Sequence, residues 1–293
     1  MPKLVALLVG INAYQPPISK LKGCVNDVAK MATYLHSLTA HFEAIDILTL
    51  TDEQADKTNL VTQFQDHLSK AQTDDVALFY YAGHGAQEHA DLALWPHESD
   101  GRLECLVCHD NQLLADKELR WLFAHLSQNS AHIVSIFDCC HAGDNVRASV
   151  PTDKSVTVRQ ALPTDRSIRA FPKREWADFI FHREIDPDEL VEKGIASIFP
   201  DENFIQLAAC SNTQLAAEVS DGGVFTSALL QFLTSSTKIL AYYDLSQRVS
   251  KLISHEFDQT PQAYVASSHQ GHEAIFRGFL NLPADQKSSF YGN

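Results

Sequence analysis

Apolar residues along this chain gather in short runs separated by polar, glycine-containing stretches. Residues 3–10 (KLVALLVG) are almost continuously aliphatic, as expected of a strand covered on both faces. Residues 27–38 then place Val28, Met31, Leu35 and Leu38 at helical spacing. Residues 44–50 (AIDILTL) alternate apolar and polar, 60–68 return to helical spacing, and 76–81 (VALFYY) form a second continuous run that ends at Gly83. The pattern predicts a further helix over 118–126, a fourth strand over 131–137 and a fifth over 204–209. Helices follow over 225–233 and 245–257, with a last strand near 261–265 or 274–276. Strands alternating with helices predict an α/β fold, a mostly parallel six-stranded sheet with helices on both faces. In such a sheet, chemistry collects at the carboxyl ends of the strands.

One stretch breaks the alternation. Residues 144–200 form an irregular segment between the fourth and fifth strands, far longer than a usual connection. Its first part, 144–175, holds Arg147, Lys154, Arg159, Arg166, Arg169, Lys173 and Arg174 against four acids, a local +3 inside a chain of net charge −14. That acidic balance argues against nucleic-acid binding and favours cationic substrates. With 45% apolar and 20% charged residues the 293-residue chain has enough material for one large core. We read residues 1–280 as one domain and 281–293 as a tail. Six cysteines, two of them adjacent, are too few for a disulfide scaffold and fit a reducing, cytoplasmic setting. No run approaches the length of a membrane helix, and residues 4–11 lack the flanks of an export signal, so no membrane partner is expected.

Two strand ends hold the chemistry. The third strand runs into Tyr81-Ala82-Gly83-His84-Gly85, and the fourth into Asp138-Cys139-Cys140-His141-Ala142-Gly143. A thiol and an imidazole at neighbouring strand tips can serve as nucleophile and proton carrier. These motifs, 56 positions apart from His84 to Cys140, resemble those of the caspase-like cysteine peptidases, in the metacaspase form with Asp two before the cysteine and His after it. Residues 21–27 (LKGCVND), 208–211 (AACS) through Glu218, and 222–226 (GGVFT) extend the resemblance in the same order.

The resemblance implies a caspase-like three-layer sandwich and a cysteine endopeptidase. Cys140 is then the nucleophile and His84 the general base and acid, with backbone N–H groups of Gly85 and Cys140 forming the oxyanion hole. Cys139 is a packing residue. Asp27 and Asp138, with Cys24 and Ala82 beside them, line a substrate pocket suited to Arg or Lys before the cut bond. The partners expected are protein or peptide substrates, and the chain is expected to be a monomer. A basic segment just beyond the nucleophile invites self-cleavage, with Arg166, Arg169 and Arg174 as candidate positions. The family's calcium-binding acids match Ala115-Asp116-Lys117-Glu118-Leu119, where Lys117 replaces an acid, so neither calcium nor another metal or cofactor is expected. Rival readings are an Asp-specific peptidase, which an acidic pocket opposes, and a catalytically idle scaffold, which intact His84 and Cys140 oppose. The C-x-x-C-H string at 105–109 matches a haem-attachment or zinc pattern in letters only and is read as a hairpin strand.

Overall fold

The computed structural model describes residues 1–94, 96, 98, 100–129, 131–140, 155–162, 170–195, 204–211, 214–235, 240–265 and 275–276. The first aliphatic run is β1 (Leu4–Gly10), buried along its whole length. Helix α1 (Cys24–His36) follows, turning Cys24, Val28, Met31 and Leu35 inward. Strand β2 (Ile45–Thr51) is half exposed, which is why its sequence alternates. Helix α2 (Lys57–Leu68) is capped by the Asp56 carboxylate, which accepts from the Asn59 N–H. Strand β3 (Val76–Ala82) is again wholly buried. A separate antiparallel sheet of β4 (Gly85–His89), β5 (Arg102–Val107) and β6 (Leu113–Ala115) stands between β3 and helix α3 (Asp116–Ser127). Strand β7 (His132–Asp138), wholly buried, leads into the long irregular segment, which contributes β8 (Thr157–Val158) and α4 (Pro187–Lys193). The chain continues through β9 (Phe204–Ala208), β10 (Ala217–Val219), β11 (Gly222–Gly223), α5 (Val224–Ser235), β12 (Leu240–Ala241), α6 (Tyr242–Ile253), β13 (Gln262–Val265) and β14 (Ile275–Phe276).

The main sheet has the order β2-β1-β3-β7-β9-β13, parallel except for β13, which runs antiparallel to β9. Both stretches predicted for the last strand are extended, but only β13 joins this sheet; β14 pairs with β12. The path from β1 to β2 moves outward and the path from β2 to β3 moves back across β1. With right-handed crossovers, α1 and α2 therefore cover opposite faces, which explains why β1 and β3 are apolar without alternation. Helices α5 and α6 extend the α1 layer, and α3 packs beside α2. Rings of Phe64, Phe79, Phe123 and Phe204 pack edge to face or stacked, at 4.6–6.4 Å between centroids. The order reverses at β1, so the carboxyl ends of β1, β3 and β7 bound the crevice where ligands of such sheets bind.

Candidate active site

Strands β3 and β7 are in register, with Ala82 opposite Asp138, so His84 and Cys140 both lie two residues beyond the same rung. Gly85 and Cys140 approach closely: a side-chain carbon on Gly85 would fall 1.6 Å from the Cys140 carbonyl oxygen, so only glycine fits. The His84 backbone is fixed by tyrosines. Its N–H donates to the Tyr14 hydroxyl at 2.8 Å, and the Tyr81 hydroxyl lies 2.8 Å from the carbonyl oxygens of both His84 and Val107. The ring Nε2 is 2.8 Å from the Ser19 carbonyl oxygen. A carbonyl only accepts, so Nε2 holds the proton of the neutral ring and Nδ1 keeps the free lone pair. Nδ1 is buried and makes no hydrogen bond among the described residues. Burial pushes this imidazole down to about 4, against the opposing pull of the Ser19 carbonyl and Glu218, so the ring is neutral at physiological pH.

The Cys140 Sγ accepts from the Ala216 N–H at 2.9 Å. Cys210 neighbours this thiol, and its own thiol is pushed well up, chiefly by its hydrogen bond to Cys140 and then by burial. Cys139 is buried, as expected of a packing residue, and all six cysteines are free. His141 lies outside the described residues.

The pocket beside this pair is filled by the chain itself. Arg159, fully buried, reaches in behind β8, which pairs antiparallel with β10. Its guanidinium Nη2 bonds Asp27 Oδ2 at 2.5 Å, Nη1 lies 3.0 Å from Asp138 Oδ2, and Nε and Nη2 lie 3.3 and 3.2 Å from Glu218 Oε2. The Arg159 N–H donates to the Ala216 carbonyl at 3.0 Å. The Arg159 carbonyl oxygen accepts from two N–H groups, Gly85 at 3.0 Å and Cys140 at 3.1 Å. On the far side of Arg159, the Ala161 N–H donates to the Gly85 carbonyl at 2.8 Å. An arginyl residue thus lies across the strand tips like a bound peptide, its carbonyl on the two predicted donors and its side chain on the predicted carboxylates.

The carboxylates are themselves held in place. Asp27 Oδ2 also accepts from the Gly223 N–H at 2.8 Å, and Asp138 Oδ2 from the Thr226 N–H and hydroxyl at 3.1 and 2.6 Å, with Tyr80 on Thr226 at 2.7 Å. Burial raises the Asp27 carboxyl to about 7, opposed mainly by the Arg159 guanidinium. Cys24 stands 3.6 Å from Glu218 Oε2, and Ala82 is buried at the end of β3. Glu218 is a pocket wall that sequence reasoning named only as part of a similar stretch. Its signal is weak, because β10 reaches the site through long-range pairing rather than through any spacing from His84 or Cys140. Of the predicted self-cleavage positions, Arg166 and Arg169 lie outside the described residues. Arg174 is not in the pocket: its guanidinium forks onto Glu88 at 2.6 and 2.9 Å and bonds Glu118 at 2.9 Å. The residue in the pocket is Arg159.

Glu98, Asp100, Glu104 and Asp116, with Arg120, line a cavity of about 440 Å3, and Lys117 sits beside it. Its ammonium pairs with Glu98 and Asp116. Burial, with Asp116 and Glu98 adding, pushes the Glu104 carboxyl up to about 7. A tethered cation thus already pairs with two of these carboxylates. Cys105 and Cys108 are buried in and just after β5, in the antiparallel hairpin of β4, β5 and β6.

A profile of the caspase domain matches residues 3–270, and the chain belongs to that family of cysteine-type peptidases. It is 26% identical to metacaspase-1 of Mycosarcoma maydis over 91% of this chain and 71% of the relative. It is 33% identical to metacaspase-1A of Aspergillus niger over 89% of this chain and 69% of the relative. A crystal structure of a Geobacter sulfurreducens protein, 20% identical, shares the fold with a TM-score of 0.69 over 96% of this chain and all of that one. Among the described residues no helix is long and apolar enough to cross a membrane.

Proposed function

We propose that this peptidase cuts after arginine, with Cys140 as nucleophile and His84 as the proton carrier, and that its first substrate is its own Arg159–Gln160 bond. The observation that carries this reading is the seating of Arg159, with its carbonyl oxygen on Gly85 and Cys140 and its guanidinium on Asp27, Asp138 and Glu218. His84 takes the Cys140 proton at Nδ1, and the sulfur attacks the arginyl carbonyl carbon. The developing oxyanion is held by the two N–H groups, and His84 gives the proton to the leaving nitrogen as the C–N bond breaks. Water then opens the thioester. Three carboxylates, met by all three guanidinium nitrogens, suit an arginine better than an ammonium. An aspartyl side chain there would meet only repulsion. The chain acts as a monomer, and Lys117 makes calcium unnecessary.

Incubation of intact protein tests the reading. Wild type should yield fragments 1–159 and 160–293, Cys140→Ala should stay whole, and Arg159→Ala should lose that cut yet cleave fluorogenic peptides in the order Arg over Lys, with none for Asp. A wild type that leaves both its own chain and arginyl peptides intact would refute it.

A further inference from the structure

The chain beyond the cut is fastened to the body independently of Arg159. The Ala161 N–H bonds the Gly85 carbonyl at 2.8 Å, one residue past the bond to be opened. Ten residues on, Phe171 lies along β4, its N–H on the Gln87 carbonyl at 2.6 Å and its carbonyl oxygen on the His89 N–H at 2.9 Å. Arg174 then inserts its guanidinium between Glu88 and Glu118, both carboxylates fully buried, with Phe179 under the cation at 4.4 Å. Lys57 bonds Glu118 from the other side at 2.8 Å. None of these contacts involves the scissile bond, so all of them survive its cleavage. An ordinary leaving peptide diffuses away, whereas this one keeps its new amino group at the site.

We propose, on the reading of the site given above, that Gln160 is a retained leaving group, held through Ala161, Phe171 and Arg174, and that the enzyme reseals its own Arg159–Gln160 bond from the acyl-enzyme. In the forward step the Cys140 sulfur–carbon bond forms, the carbon–nitrogen bond breaks, and the Gln160 nitrogen takes a proton from His84. In the reverse step the same amine attacks the thioester carbonyl, returns that proton to His84, and the thiolate leaves. No oxidant, metal or further reactant enters. A tethered amine has an effective concentration that a free peptide lacks, and it competes with water for the thioester. Arg174 is in this account a positioning residue, and the intact, self-filled enzyme is the resting form. Net cleavage of wild type is slow, because it proceeds only through openings of the latch on Glu88 and Glu118.

Hydroxylamine separates this from simple slow cleavage, because it captures the thioester as a hydroxamate at Arg159 and so removes the route back. Freshly purified intact wild type should lose its intact chain about tenfold faster with hydroxylamine present. Arg174→Met should lose it about as fast without hydroxylamine and gain nothing from its addition. Phe171→Pro, which deletes one latch donor without exposing a buried charge, should behave in the same way and covers the case in which Arg174→Met does not fold. If hydroxylamine marks the new C-terminus of wild type without speeding loss of the intact chain, acylation is irreversible and resealing is refuted. If neither fragments nor hydroxamate form and arginyl peptides are also uncut, the functional reading itself fails.

Discussion

At the scale of single residues, the pocket turns on how Arg159 is neutralised. A guanidinium taken wholly out of water is tolerated only where its charge and its donors are met, and Asp27, Asp138 and Glu218 meet them from three elements. Removing one carboxylate from a buried cluster costs about 3–5 kcal/mol, so Glu218→Gln should lower kcat/KM for arginyl peptides by about 100-fold or more. The loss should be smaller for lysyl peptides, so the measured Arg-to-Lys ratio should fall. The same residues set a pH dependence with a fixed sign. The Asp27 carboxyl, raised to about 7 by burial, becomes neutral as pH falls through that range and ceases to attract a cation. His84, lowered to about 4 by burial, stays neutral and able to accept a proton well below that. A pocket without a guanidinium holds the Asp27 proton still more readily, so on acidification KM for an arginyl peptide should rise first, as pH falls towards about 7, while kcat should hold until the pH approaches His84's own range. A kcat that falls together with the rise in KM would contradict this assignment.

At the scale of elements, the pocket depends on β11 touching α1. Gly222 has φ +144°, which L side chains rarely adopt, and an added carbon there would sit 2.1 Å from Asp27 Oδ1. Gly222→Ala should leave the circular-dichroism spectrum of the sheet intact while cutting activity on arginyl peptides by about 100-fold, as the carboxylate is pushed off its cation. Such contacts also mark what the sequence could and could not disclose. β1, β3 and β7 were legible because burial on both faces leaves an unbroken apolar run, and β2 because one half-exposed edge restores alternation. The meeting of His84 and Cys140 at neighbouring strand ends was legible because each follows such a run directly. Arg159 and Glu218 were not. They lie 59 positions apart in sequence and meet only because β8 pairs with β10, and local spacing holds no trace of that register. Charge content drew attention to residues 144–175 as a whole, but it could not tell the arginine in the pocket from Arg174, which serves as a latch.

At the scale of the whole molecule, a chain of net charge −14 must keep its acids from repelling one another where they crowd. Beside α3 this falls to Lys117, whose ammonium bridges Glu98 and Asp116 with Glu104 close by. Burial lowers the affinity of this amine for its proton, but Asp116 and Glu98 outweigh that and leave it raised, so the cation persists across the working range. A divalent ion would have to displace an ammonium that is covalently attached and already paired. Wild-type self-cleavage and Tm should accordingly be unchanged by a chelator or by added calcium. Lys117→Ala removes the internal cation and leaves its carboxylates facing one another. Breaking a buried pair at about 3–5 kcal/mol should lower Tm by roughly 5–15 °C in a chain of this size. Calcium should return part of that loss in the variant, since it can then supply the missing charge. Equal calcium responses in wild type and Lys117→Ala, followed by thermal melts at matched ionic strength, would show that the lysine does not stand in for a metal.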